Sequence, residues 1–114
     1  MKAVFVELPP FCRFRQDYLD DEEFCVLQTA LMRNPAAGDV IAGSGGLRKV
    51  RHGDSRRGRG KRGGLRIIYY WWPRGAQFWL FTLYDKNEAS DLTAKERHIL
   101  KGLLDAELRT RGAS

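Results

Sequence analysis

Apolar side chains recur along this chain in two rhythms, and the change from one to the other marks the elements. From Ala3 to Leu8 the residues are mostly apolar, which predicts a short strand. Pro9 and Pro10 stop it, and Pro10 suits the first position of a helix that carries Phe11, Phe14 and Tyr18 on one side. Asp20 is the predicted N-cap of a second helix. Asp21, Glu22 and Glu23 complement its positive start, and Phe24, Leu27 and Leu31 repeat at helical spacing until Asn34 and Pro35 end it. The segment from Ala36 to Gly46 holds four glycines and is predicted to be a loop. Leu47 to His52 is a predicted strand, and residues 53–64, polar and Gly-rich, a mobile connection. Leu65 to Trp72 and Gln77 to Asp85 flank a turn at Pro73, Arg74 and Gly75. Both are apolar at odd and even positions alike, so both are predicted central strands, covered on each face. Thr93 with Glu96 forms a capping box for a last helix striped by Ile99, Leu100, Leu103, Leu104 and Leu108. The order β-α-α-β-β-β-α predicts one α+β domain over residues 1–114, a small antiparallel sheet packed with helices.

Charge changes the picture more than composition does. Between Arg48 and Arg66 lie nine of the 20 basic residues (Arg48, Lys49, Arg51, Arg56, Arg57, Arg59, Lys61, Arg62 and Arg66) against one acid, Asp54. That leaves 11 basic and 13 acidic residues elsewhere, so the net charge of +6 is a local positive field. Such a patch attracts a polyanion, with an affinity that falls steeply with salt. The same stretch read alone is also compatible with a solvated loop. At 114 residues the chain can bury a core without disulfides or metal. Cys12 and Cys25 form no CxxC, and neither His52 nor His98 is near them in sequence, so they are expected to be reduced thiols at or near the core. The apolar N-terminal run is too short and too soon broken by proline for a signal peptide, and no stretch reaches the roughly 18 apolar residues that span a bilayer. A soluble, cytoplasmic protein is expected. The glycines before Leu47 are followed by no GK[ST], which argues against a nucleotide-binding loop.

Pairing the predicted strands gathers the charge. A hairpin centred on Arg74 and Gly75 places Arg66 opposite residue 83 or 84, beside Tyr84, Asp85 and Lys86. If the preceding strand also returns as a hairpin, Arg51 falls near Arg66 and Lys49 near Ile68. Lys49, Arg51, Arg66 and Lys86 then meet at one end of the sheet. Opposed like charges destabilise a sheet by a few tenths to about 1 kcal/mol, so their convergence points to an anion, most simply a phosphate. RNA is cleaved without metal when its 2′-hydroxyl attacks the adjacent phosphate. This requires a base, cations on the phosphorane and a proton for the leaving oxygen. Arg suits the second task, a lysine crowded by cations the first, and Lys86 could donate the proton. No cofactor is called for. Asp85, Glu88 and Asp91 read as helix-start carboxylates rather than a metal cluster. Of the aromatic run, Tyr70 is the candidate for contact with RNA, although a central strand normally buries such residues.

The segments NPAAGDVIAGSGGLRKVR, GKRGGLRIIYYWW and FTLYDKNEASDLT, in that order and spacing, together with FCRFRQDYLDDEEFCVLQTAL, resemble the RelE superfamily of bacterial toxins and most closely its HigB-like branch. The resemblance covers almost the whole chain. It implies a RelE-type fold in a ribosome-dependent mRNA endonuclease that cleaves the codon in the ribosomal A site. It also implies a cognate antitoxin, which in this branch usually carries a helix-turn-helix domain. On that resemblance Arg66 corresponds to the arginine that stabilises the transition-state phosphate, and Lys49 and Arg51 to basic positions that orient it and share proton transfer. Lys86 and Asn87 stand where the RelE branch has basic residues. That branch has a tyrosine a few residues later, where this chain reads EASDLT, and the general base stays open among Lys49, Glu88 and Tyr84, with Lys49 ahead. The loop cations Arg56, Arg57, Arg59, Lys61 and Arg62, with Arg48, are expected to hold RNA. A non-catalytic module that blocks translation by occupying the ribosome explains the same basic patch. A nuclease acting on free RNA is the weaker reading, because no strong acid/base pair is evident.

Overall fold

The computed structural model describes residues 2–53, 64–86, 88–89 and 91–112. Strand β1 (Val4–Glu7) leads into helix α1 (Pro9–Tyr18), which starts with prolines at its first two positions, and helix α2 (Asp21–Arg33) follows. The Asp20 side chain caps α2 by accepting from the Glu23 N–H at 2.8 Å, as its position predicts. Strands β2 (Asp39–Val40), β3 (Arg48–His52), β4 (Leu65–Trp72) and β5 (Gln77–Asp85) come next, and helix α3 (Ala94–Thr110) closes the chain on its capping box of Thr93 and Glu96. The sheet runs β1-β5-β4-β3-β2.

Helices α1 and α2 lie on one face, where Phe11, Leu19, Phe24, Leu27 and Leu31 meet Leu65, Ile67, Tyr69, Phe78 and Leu80. On the other face Leu100 and Leu104 of α3 pack with Ile68, Trp79 and Phe81. Both central strands are therefore covered twice, which accounts for their lack of alternation. The α+β class holds, with two additions to the expected sheet. β1 runs parallel to β5, from Val4 opposite Gln77 to Glu7 opposite Leu80, so the sheet is mixed. This fills the outer edge of an apolar strand and stacks Phe5 on Phe78 with ring centroids 4.8 Å apart. The predicted loop from Ala36 to Gly46 contains the two-residue β2 on the far edge.

Four residues depart from the expected core, among them Phe14, which is 39% exposed although Phe11 on the same helix is buried. Cys12 and Cys25 are exposed, because each occupies the solvent side of a helix whose other side carries the large apolar residues. Ile99 is also exposed, while its neighbour Leu100 is buried in the α3 stripe. The basic connection lies mostly outside the described residues, with only Gly53 and Gly64 inside them. No described helix is long and apolar enough to cross a membrane.

Candidate phosphate-binding site

Strand register builds the site. β3 and β4 pair antiparallel with Arg51 opposite Arg66 and Lys49 opposite Ile68, as the hairpin reading predicts. Opposed residues project to the same side of a sheet, so Lys49, Arg51 and Arg66 share the α3 face. They line one open cavity of about 510 Å³ together with Ala37, Asp39 and Val50. Arg66 is only 9% exposed, and its guanidinium donates to the Gly64 and Leu65 carbonyl oxygens at 3.2 and 3.4 Å. Among the described residues neither Arg66 nor Arg51 forms an ion pair, so these two guanidinium groups keep donors for an anion.

Lys49 is engaged differently. Its ammonium lies 3.2 Å from Asp91 Oδ1, which also accepts the Leu92 N–H at 2.8 Å. That N–H, and then the Lys49 ammonium, hold the Asp91 carboxyl below the usual carboxylate range. Lys49 is therefore paired with a carboxylate rather than set among cations alone.

Register also decides what faces Arg66 from β5. Counting back from the turn, Trp72 pairs with Gln77 and Tyr69 with Leu80, but Ile68 pairs with Thr82, so β5 carries one extra residue, Phe81, in a bulge. Beyond it Arg66 stands opposite Tyr84 rather than Leu83. The Tyr84 hydroxyl is buried without a hydrogen-bond partner among the described residues. Burial first, and then Asp91, raise its pKa against the opposing pull of Arg66, so Tyr84 presents a proton rather than a base. Glu88 lines a separate cavity of about 210 Å³ with Tyr18 and Tyr84 and accepts the Tyr18 hydroxyl at 2.5 Å. Burial and that carboxylate push the Tyr18 pKa up to about 12.

Other sequence candidates are dispersed. Lys86 is exposed in the turn after β5 and does not line the basic cavity. Arg48 pairs with Tyr69 and so faces the α1–α2 side, where its Nη1 donates to the Gly38 carbonyl at 2.7 Å. Tyr70 is half-buried and stacks on Trp79 at 5.2 Å, one face of its ring already used by the core. Asn87 and the loop cations Arg56, Arg57, Arg59, Lys61 and Arg62 lie outside the described residues. Among the described residues no group of three or more His, Cys, Asp or Glu side chains is placed to hold a metal ion. Asp39, which the sequence pattern does not single out, joins the cavity because β2 places it opposite Lys49. The only signal at sequence level is a lone acid within the Gly-rich stretch from Ala36 to Gly46.

No family model matches the chain. Among solved structures it is similar to an E. coli toxin RelE bearing two arginine-to-alanine substitutions, in the free state, with a TM-score of 0.50. The similarity covers 79% of this chain and 90% of that one, at 11% sequence identity. At that identity the likeness concerns architecture, and the chain has a RelE-like fold.

Proposed function

We propose that the chain is a toxin of a toxin–antitoxin pair, of the HigB-like branch, that cleaves mRNA in the ribosomal A site and so arrests translation. The observation that carries this reading is the β3–β4 register, which sets Arg51 directly against Arg66 on one face, over an open cavity and, among the described residues, with no carboxylate ion-paired to either. Directly opposed cations weaken a sheet, and a bound phosphate diester reverses that cost. In the proposed reaction the 2′-hydroxyl attacks the adjacent phosphate without a metal. Arg66 stabilises the charge on the phosphorane, Arg51 orients the phosphate, and Lys49 supplies the proton to the leaving oxygen. Lys86, outside the cavity, is assigned to the surrounding RNA with Asn87, Arg48 and Tyr70. Arg56, Arg57, Arg59, Lys61 and Arg62 bind ribosomal RNA, with the salt dependence expected of phosphate contacts. The cognate antitoxin, with a helix-turn-helix domain, neutralises the toxin in the cytoplasm.

One observation favours a second reading, in which the chain blocks the ribosome by occupancy. None of the three base candidates from the sequence presents a free basic atom to the cavity, since Lys49 is paired, Tyr84 is held protonated and Glu88 faces elsewhere. The test is cleavage of ribosome-bound mRNA by the unsubstituted chain and by Arg66→Ala. The enzyme reading expects products from the first and a deep loss in the second at retained ribosome binding. An absence of products from the unsubstituted chain would leave occupancy.

A further inference from the structure

We propose that Asp39 is the general base of this cleavage, an inference that rests on the endonuclease reading and names the group it lacks. Asp39 is the one carboxylate among the described residues lining the basic cavity. Its register partner is Lys49, so the carboxylate projects from the same face as Lys49, Arg51 and Arg66. That neighbour does not neutralise it, because the Lys49 ammonium is drawn to Asp91 at 3.2 Å. Among the described residues no hydrogen bond or ion pair engages the Asp39 side chain.

The backbone beneath it is held from the opposite face. Gly38 is buried; its carbonyl accepts from Arg48 Nη1 at 2.7 Å, and its N–H donates to the Tyr69 hydroxyl at 3.1 Å. That hydroxyl in turn donates to the Pro35 carbonyl at 2.8 Å. A Cβ on Gly38 would lie 2.7 Å from the Lys49 carbonyl oxygen, so β2 is pressed against β3 where Asp39 begins. The result is an exposed carboxylate, unpaired among the described residues, on a backbone held from both sides, which is what a preorganised base requires. Its charge is otherwise a disadvantage. A surface built only to occupy phosphate would bind more tightly without an anion beside its cations.

In the step, the 2′-oxygen forms its bond to phosphorus while its proton passes to a carboxylate oxygen of Asp39. The bond from phosphorus to the 5′-oxygen breaks, and that oxygen takes a proton from the Lys49 ammonium. The products are a 2′,3′-cyclic phosphate and a 5′-hydroxyl. Asp39 then releases its proton to solvent and Lys49 regains one from it.

The experiment is single-turnover cleavage of mRNA in purified ribosome complexes at saturating toxin, with ribosome affinity measured for the same variants. Asp39→Asn, nearly isosteric and exposed, is expected to lose about a hundredfold to ten-thousandfold in rate with equal or tighter ribosome binding. Asp39→Glu is expected to retain more of the rate than Asp39→Asn. Unchanged cleavage by Asp39→Asn, beside an impaired Arg66→Ala, would overturn the assignment of Asp39 and leave the endonuclease reading standing. Loss of ribosome binding in Asp39→Asn would also overturn it, by making Asp39 a docking residue. No cleavage by the unsubstituted chain would overturn both.

Discussion

At one end of the β4–β5 pair, Tyr70, Trp71 and Trp72 lie against Phe78 and Trp79, with ring centroids 4.5 to 5.4 Å apart. The Arg111 guanidinium sits 5.0 Å from the Trp79 ring, so even the cation there is used for packing. At the other end of the same two strands Arg66 faces Tyr84, and the cation's donors turn to backbone carbonyls and to a cavity. Both ends share one hydrogen-bonded ladder, yet between them the Phe81 bulge shifts the register by one residue. Because side chains alternate with a period of two, that single residue replaces Leu83 by Tyr84 opposite Arg66. The apolar end holds the pair together, which lets the polar end keep cations together at a cost of about 1 kcal/mol or less for each opposed pair.

The contrast can be broken hardest at the aromatic end. Trp79 is fully buried, and Trp79→Ala should lower stability by about 3 to 5 kcal/mol. A denaturant titration should show ribosome binding and cleavage lost together with the fold. A variant that melts like the unsubstituted protein would mean that this end is not the support described. Arg66→Ala should show the converse. The rate should fall by about a hundredfold to a thousandfold, equivalent to roughly 2.7 to 4 kcal/mol on the barrier, with a stability change within about 1.5 kcal/mol. A large drop in the melting midpoint would instead assign Arg66 to folding.

Gly38→Ala sharpens the comparison by pushing β2 away from β3 while leaving every charged side chain of the cavity in the sequence. Overpacking there should cost about 1 to 3 kcal/mol, and cleavage should fall further than ribosome binding, since Asp39 moves while Arg51 and Arg66 stay paired on β3 and β4. Equal losses in both would detach Asp39 from the chemistry. The smallest expected effect belongs to Asp91, whose carboxyl is lowered from 3.8 in the folded chain. Its stabilising contribution is fully present above the unfolded value and is lost as pH falls through the lower folded value. Asp91→Asn should therefore flatten the acid limb of a melting-temperature profile taken from about pH 5 down to about pH 2. The change should be slight, because the carboxylate side chain is 54% exposed and solvent screens the pair. An unaltered limb would show that neither the Leu92 N–H nor Lys49 holds the Asp91 carboxylate in solution.

Elements governed by near neighbours were legible in the chain. The Asp20 cap, the Thr93–Glu96 box and the bounds of β4 and β5 match because capping and patterning act within a few residues. The meeting of Lys49, Arg51 and Arg66 was legible for the same reason, since the β3–β4 register follows from matching the apolar positions of two adjacent segments. Contacts between distant segments were not. β1 lies more than 70 residues from its parallel partner β5, and nothing local in VFVE names the strand it will join. The outward positions of Cys12 and Cys25 depended on which side of each helix met the sheet.

What the sequence determined by itself is every α-helix and strand but β2, and the meeting of Lys49, Arg51 and Arg66 at one end of the sheet, because both rest on spacing along the chain. Tertiary structure alone decided that Arg48 turns away to hold Gly38, that Lys49 pairs with Asp91, that the bulge brings Tyr84 opposite Arg66, and that Asp39 enters the cavity. Each of these depends on a strand's face or a one-residue register, and a period of two leaves both choices open until a partner strand is in place.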